Sequence, residues 1–512
     1  MTKIHCFKAY DVRGRVPEEL DEDIAYRIGR GYAAFVKPRT VAVGYDIRAS
    51  SPLLTAALVK GLTDSGVDVL DIGVGGTELS YFATFSRNLD GGIMVTASHN
   101  PPNYNGMKFV REGSRPISAD TGLKDIQELA ERNEFGPPAA ARGKVRQADV
   151  KPDYIEHLLS YVDRRSLAPL KIVVNAGNGG AGPIVDLLEP HLPFTFVKVF
   201  HEPDGRFPNG VPNPMIEENR TVTIDRLRAE RADLGVAWDG DYDRCFFFDE
   251  HGLFIEGYYI VGLLAQTFLA KTPGGRIVHD PRLTWNTLDL VQSGGGAAVQ
   301  SKSGHAFIKQ RMREVDAVYG GEMSAHHYFR SFSYADSGMI PWLLITEIMS
   351  QRKASLSTLV GERMRAYPAS GEINRKVNDA AAVIAAVRAK YTPKALAVEH
   401  VDGLSVEYRD WRFNLRSSNT EPLLRITSRA AATKSSCGPR RPSSSSCWAA
   451  SPASASCRDR LRGRRLGTCA HSPRRSRLPS ATPIASTRSG SSRPTSPPCC
   501  SRAGTPTSSR SR

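Results

Sequence analysis

The chain has 512 residues, 40% hydrophobic and 24% charged, which excludes both a small disulfide-stapled module and a wholly disordered chain. Its formal net charge of +15 looks like that of a nucleic-acid or membrane binder until the charges are located. Residues 429–512 hold 17 Lys+Arg against one acid, Asp459, a net of +16, so the first 428 residues are nearly neutral at −1.

In chain order, Val41-Ala-Val-Gly-Tyr-Asp reads as a buried strand, Ser51 to Ser65 has helical spacing, and Gly91-Gly-Ile-Met-Val-Thr reads as a second buried strand. Lys171-Ile-Val-Val-Asn-Ala-Gly-Asn-Gly-Gly and Leu234-Gly-Val-Ala-Trp-Asp-Gly-Asp repeat the pattern of an apolar strand ending in small and acidic residues. This is the rhythm of α/β layers, in which ligand groups collect at the carboxyl ends of strands. Successive doubly wound units are expected, with breaks near residues 148, 254 and 367.

Four stretches carry chemistry. Val95-Thr-Ala-Ser98-His-Asn-Pro-Pro sets an accessible hydroxyl at a strand end, a nucleophile or phosphate carrier if it does more than cap a turn. No Gly-x-Ser-x-Gly supports a hydrolase elbow. Asp239-Gly-Asp241-Tyr-Asp243-Arg244 packs three carboxylates at alternate positions, a hard oxygen set suited to Mg²⁺ sharing its shell with a phosphate, or else a solvated acidic turn. An EF-hand does not fit, because its obligatory glycine position is Arg244 and the flanks read as strands. Gly320-Gly-Glu322-Met-Ser324-Ala-His326-His327 offers a carboxylate, a hydroxyl and an imidazole to vicinal sugar hydroxyls, or makes a buried polar loop. Phe413-Asn-Leu-Arg416-Ser-Ser418-Asn419-Thr420 supplies a guanidinium fork and a turn of N–H groups for a phosphate dianion.

Together with Phe7-Lys-Ala-Tyr10-Asp-Val-Arg13-Gly and Gly44-Tyr-Asp-Ile-Arg-Ala-Ser-Ser-Pro52, these stretches closely resemble the α-D-phosphohexomutase superfamily, and within it the bacterial phosphomannomutase/phosphoglucomutase enzymes, over residues 4–428. The resemblance implies four domains around a central cleft, at 1–148, 149–253, 254–366 and 367–428. Three share related mixed α/β cores, and the fourth is a smaller α+β domain. It implies that Ser98 becomes the phosphoserine, and that Asp239, Asp241 and Asp243 bind one Mg²⁺ with an oxygen of the Ser98 phosphate. Lys108, His305, Arg244 and Arg13 take catalytic positions, and Tyr10, His99, Glu322, Ser324 and His326 meet the sugar. Arg416, Ser418, Asn419 and Thr420 hold the phosphate that is not being transferred.

The activity so implied interconverts mannose or glucose 6-phosphate and 1-phosphate through a hexose 1,6-bisphosphate, which also serves as activator, and feeds nucleotide-sugar and polysaccharide synthesis. Direct transfer across the ring is geometrically barred, so a phosphoserine lends its phosphate and takes another back. Lys108 or His305 is available to move the hydroxyl proton. Glu322 and His326 would read the 3- and 4-hydroxyls, which mannose and glucose share, so dual specificity is expected. Met323, where phosphoglucosamine mutases usually have Gln, points away from that branch. Ala325 stands where the family usually has Gly and is expected to restrict the loop.

The last 84 residues contain 21 Ser and 10 Pro with no helical or strand period, so they are expected to be disordered. The switch in composition after Thr427 is abrupt, as a shifted reading frame in GC-rich DNA produces. The fourth domain is therefore expected to lack its terminal strand remainder and helix, with impaired catalysis as one alternative. Nucleic-acid binding through the basic tail is another, weakened by a single tail aromatic, Trp448. Six of eight cysteines lie in the tail and only Cys6 and Cys245 in the body, so no disulfide framework is expected. The longest apolar run, Ile260 to Ala270, is broken by Gln266 and Thr267. A cytoplasmic, monomeric enzyme acting on phosphohexoses, with no membrane span, is the expectation.

Overall fold

The structure, a computed structural model, describes residues 3–417 and 423–431; the expected tail and the Ser418, Asn419 and Thr420 loop lie outside the described residues. Four sheets follow one another along the chain. In the first, Thr40–Tyr45, Asp68–Val74, Gly91–Val95 and Val145–Gln147 run parallel, and Tyr104–Arg111 and Val12–Arg15 add an antiparallel arm. The second sets parallel Thr195–Val199, Lys171–Asn175 and Leu234–Trp238 beside antiparallel Cys245–Phe248 and Phe254–Ile255. The third repeats this with Ala297–Gln300, Arg276–His279 and Tyr319–Gly321 parallel, then His327–Phe329 and Ala335–Asp336 antiparallel. The fourth sheet, Ala369–Lys376, Leu423–Ala430, Trp411–Ser417, Leu404–Glu407 and Ala397–Glu399, is antiparallel throughout.

The strand and helix expectations of the first half hold, with Ser51–Asp64 helical between the strands Thr40–Tyr45 and Gly91–Val95. The doubly wound rhythm is only part of each domain. In each of the first three, the innermost parallel strand turns back through a hairpin, and that hairpin loop carries one of the chemical stretches: 96–103, 239–244 and 322–326. Each loop reverses through a non-glycine residue in the left-handed region: Ser98 at φ 48°, Tyr242 at φ 47° and Ala325 at φ 69°. Such backbone costs about 1–2 kcal/mol per residue and persists where the surroundings over-determine it. The left-handed Ala325 bears out the expectation that an alanine here is constrained.

One apolar core joins the first three domains. It runs from Leu79 and Phe82 in the helix Thr77–Ser86, through Tyr154 and Trp238, to Trp342 and Ile345 in the helix Met339–Arg352. Glu78, wholly buried, fastens the same three domains: Oε1 accepts from the Gly338 and Met339 N–H groups at 2.6 and 3.1 Å, and Oε2 from Ser337 Oγ and Tyr154 Oη at 2.6 Å each. Two of those donors are orphan N–H groups at the N-terminus of the helix Met339–Arg352, which the carboxyl oxygen satisfies, while burial outweighs its four hydrogen bonds and pushes the Glu78 carboxyl up to about 8.

The strand Leu423–Ala430 corrects the expected boundary at 428. It pairs in register with both Ala369–Lys376 and Trp411–Ser417, and Arg429, assigned to the tail from composition, lies opposite Arg412 and is buried. The strand remainder thought to be missing is built: the strand runs on to Ala430, with Leu424, Thr427, Ser428 and Arg429 buried in it. No helix among the described residues is long and apolar enough to cross a membrane.

Candidate active site

The three hairpin loops meet. Ser98 Oγ donates to Asp239 Oδ2 at 2.7 Å across 141 residues, and both side chains are buried. This approach needs Gly240, since a Cβ there would stand 2.4 Å from the Ser98 carbonyl oxygen. The serine loop is shaped by Arg48, whose guanidinium is paired with Asp46 at 3.2 Å and donates to four loop carbonyls, those of Ser98, Asn100, Pro101 and Tyr104, at 2.7–2.9 Å. Arg13 adds bonds to the Ala97 carbonyl at 3.1 Å and Asn100 Oδ1 at 2.6 Å. His99 Nδ1 lies 3.0 Å from Ser98 Oγ and also meets Arg244 Nη2.

The aspartates are held by one cation from the first domain and one from their own loop. Lys108, on the strand Tyr104–Arg111, donates to Asp241 Oδ2 at 2.7 Å and Asp243 Oδ2 at 2.6 Å, while Arg244 Nη2 reaches Asp239 Oδ2 at 2.6 Å. Burial works against the Lys108 charge, but the two carboxylates outweigh it and hold the ammonium above its ordinary range. Burial and its two aspartate neighbours push Asp239 up to about 6, against the pull of Arg244, whereas Lys108 holds Asp241 and Asp243 low despite their burial. Thr77 Oγ1 donates to Asp241 Oδ2 at 2.6 Å.

Ligand atoms of Asp239, Asp241 and Asp243 lie within 4.8 Å of one another, and Asp241 Oδ1 and Asp243 Oδ1 are buried without a hydrogen-bond partner among the described residues. Three convergent carboxylates with unused buried oxygens fit a hard divalent cation such as Mg²⁺ and exclude the solvated acidic turn.

Glu322, Ser324 and His326 close the site from the third domain. Glu322 Oε1 accepts from the Gly304 N–H at 2.6 Å and Oε2 from Tyr328 Oη; Ser324 Oγ is 3.0 Å from His326 Nδ1. His326 Nε2 lies 3.6 Å from Asp243 Oδ1, which joins this loop to the aspartate loop, and Asp243 and Glu322 raise the imidazole above its ordinary range against the effect of burial. His305 starts the helix His305–Glu314, and Tyr10 packs edge-on against its ring with centroids 5.9 Å apart.

Family models match the chain domain by domain. They are described as phosphoglucomutase/phosphomannomutase alpha/beta/alpha domains I, II and III, over residues 5–137, 152–252 and 256–367, and a C-terminal domain over 372–435. The chain belongs to the phosphoglucomutase/phosphomannomutase family. It is 59% identical over 433 residues to a phosphomannomutase of Escherichia coli, covering 83% of this chain and 95% of that one. It is 61% identical over 423 residues to a protein of Xanthomonas campestris pv. campestris (strain B100) described as phosphohexose mutases, covering 82% and 94%. A crystal structure of a family member from Burkholderia thailandensis superposes with a TM-score of 0.76 at 35% identity, covering 84% of this chain and 94% of that one. The chain is thus a phosphohexomutase, an enzyme acting on phosphosugars.

Within this mutase, Ser98, His99, Lys108, the three aspartates, Arg13, Arg244, Glu322, Ser324 and His326 form one connected group. Arg416 stands apart from that group: its guanidinium faces Glu372 at 3.6 Å and Asp402 at 3.8 Å in the fourth domain. Sequence reading quoted Arg48 inside a motif but gave it no role, and passed over Thr77 altogether. The signal for Arg48 was Asp46-Ile-Arg48 directly after a strand, a pairing that pins a guanidinium for use by a neighbouring loop. Thr77 has no sequence signal beyond opening a helix after Gly75-Gly76.

Proposed function

We propose that this mutase interconverts mannose 6-phosphate and mannose 1-phosphate, and the glucose pair, by lending a phosphate from Ser98 to make a hexose 1,6-bisphosphate that turns over and returns its other phosphate. The observation that carries this reading is the 2.7 Å bond from Ser98 Oγ to Asp239, at the centre of three carboxylates and two cationic side chains, Lys108 and Arg244. When bound by Asp239, Asp241, Asp243 and a phosphate oxygen on Ser98, Mg²⁺ would neutralise charge developing on the transferring group.

The chain's own residues account for the rest. Arg48 and Arg13 hold the serine loop through its carbonyls, so the hydroxyl stays aligned without reorganisation at the moment of transfer. Arg244 and His99 border Ser98 Oγ and are placed to bind phosphoryl oxygens. Glu322 and His326, fixed by Gly304, Tyr328 and Ser324, face the same space and would hold sugar hydroxyls in either orientation. Arg416, carried on a completed five-stranded sheet, would bind the remote phosphate, which favours an active over an impaired enzyme. The relatives' names, phosphomannomutase and phosphohexose mutases, support mannose phosphates among hexose phosphates, and the family's description as phosphoglucomutase/phosphomannomutase supports the glucose pair.

The test is turnover of mannose 1-phosphate by the full chain with trace glucose 1,6-bisphosphate, together with mass spectrometry of Ser98. A phosphoryl group on Ser98 and turnover, both lost in Ser98→Ala, are expected. Turnover that survives in Ser98→Ala overturns the phosphoserine mechanism.

A further inference from the structure

His305 lies one helical turn before Lys309, and Lys309 is wholly buried beneath it. Lys309 Nζ is 2.5 Å from Asp336 Oδ1, 4.0 Å from the centroid of the Tyr81 ring and 3.5 Å from His305 Nδ1. Asp336 is also wholly buried, and neither of its carboxylate oxygens has another hydrogen-bond partner among the described residues; with His326 within 4.8 Å as a second cation, the ammonium is its nearest counter-charge.

An ammonium has donors and no acceptor. A ring nitrogen turned toward it is stabilised only as a lone pair, because an Nδ1–H would set N–H against N–H beside a positive charge. Burial, with Lys309, Lys108 and His326 as neighbouring cations and Asp243 as the opposing anion, keeps His305 neutral, well below the ordinary imidazole range. A neutral imidazole carries one proton, which leaves it on Nε2.

We propose that Lys309, anchored by Asp336, is a positioning residue that fixes His305 as its Nε2–H tautomer, so that His305 donates a hydrogen bond to the phosphosugar and does not accept the hydroxyl proton. This removes His305 from the groups able to take the hydroxyl proton. That His305 meets the phosphosugar rests on the function proposed above; its tautomer does not.

The test is ¹⁵N–¹H long-range correlation on the full chain labelled at histidine, at neutral pH, with the His305 signals assigned by their absence in His305→Gln. The expected signature is a protonated Nε2 and a lone-pair Nδ1. Lys309→Met strands the Asp336 carboxylate, so it is paired with the neutral double variant Lys309→Met/Asp336→Leu, whose folding is checked by circular dichroism. In the folded double variant the two tautomers should mix, and kcat should fall by about 10–100-fold, the range for residues that orient another residue's imidazole, with KM little changed. Nδ1-protonated His305 in the unaltered chain, or an unchanged tautomer in the folded double variant, overturns the proposal. The Nε2–H signature in a chain without mutase turnover would overturn the function proposed above and leave the role of Lys309 standing.

Discussion

The first three domains and the fourth are held by different physics. In the first three, one apolar core crosses the domain boundaries, and buried polar groups bridge them: Lys108 of the first domain on Asp241 and Asp243 of the second, His326 of the third beside Asp243, and the Glu78 carboxyl of the first on donors of the second and third. In the fourth, five apolar residues are buried among those described, Leu404, Val406, Phe413, Leu415 and Leu424, and no residue of its helix Ala380–Tyr391 is buried. It meets the third domain chiefly through arginines, Arg282 to Glu372 at 3.1 Å, and Arg429 to Glu256 at 3.9 Å and over the Tyr258 ring at 4.4 Å. The comparison teaches that the chemical groups sit across one continuous core while the proposed remote-phosphate site sits on a small domain with few buried apolar residues, the kind of unit that moves on binding.

Four changes sharpen or break that contrast. The largest effect is expected at Asp243, where Lys108, His326 and the proposed metal set intersect. Asp243→Asn should lower kcat by about 10²–10³-fold, the scale of losing one preorganised electrostatic contact, in a protein whose circular dichroism is unchanged. Activity within about threefold of the original would mean that the triad is structural only.

Next is the fastening between domains. Glu78→Leu leaves the Gly338, Met339, Ser337 and Tyr154 donors without their shared acceptor and should cost about 1–3 kcal/mol of stability, read as a lower midpoint in urea. A midpoint that does not move would show that the shared core alone holds the three domains.

Smaller, and confined to the other side of the comparison, is Arg416→Ala. If the fourth domain only binds, KM should rise about tenfold, which is about 1.4 kcal/mol, while Ser98 still takes up phosphate from glucose 1,6-bisphosphate. A fall in Ser98 phosphorylation as large as the rise in KM would place Arg416 in the chemistry and erase the division.

Much of this was legible before any coordinates. Strand-then-acid patterns such as Leu234 to Asp243 located the aspartate loop, because three carboxylates that close together demand a cation. The body's near neutrality was legible once the basic tail was set aside. What was not legible depends on long-range geometry. Nothing local in the sequence says that the serine, aspartate and glutamate loops occupy the same hairpin position in three related sheets. Arg48 and Lys309 gain their roles only from carbonyls and a carboxylate distant in sequence or in another element. Composition also misplaced Arg429, since a strand edge rich in Thr, Ser and Arg looks like the tail that follows it; pairing with Trp411–Ser417 decides its place.

The smallest effect is expected at Ala325, where two terms nearly cancel. Its N–H donates to the Glu322 carbonyl at 3.1 Å and its carbonyl accepts from the Cys245 N–H at 3.3 Å, so the φ of 69° is imposed by bonds to both the sugar-facing loop and the strand leaving the aspartate loop. Ala325→Gly removes left-handed strain of about 1–2 kcal/mol but adds unfolded-state freedom of about 0.4–1 kcal/mol and gives up a methyl packed beside Val173 and Phe246. A net gain below about 1 kcal/mol is expected, with kcat/KM within about twofold, since under about 0.4 kcal/mol of transition-state binding is at stake. A loss of stability in Ala325→Gly would show that the methyl contact outweighs the backbone strain. A large rise in kcat would show instead that the alanine holds Glu322 and His326 short of their best geometry, which would make this loop, and not the fourth domain, the part of the molecule that limits turnover.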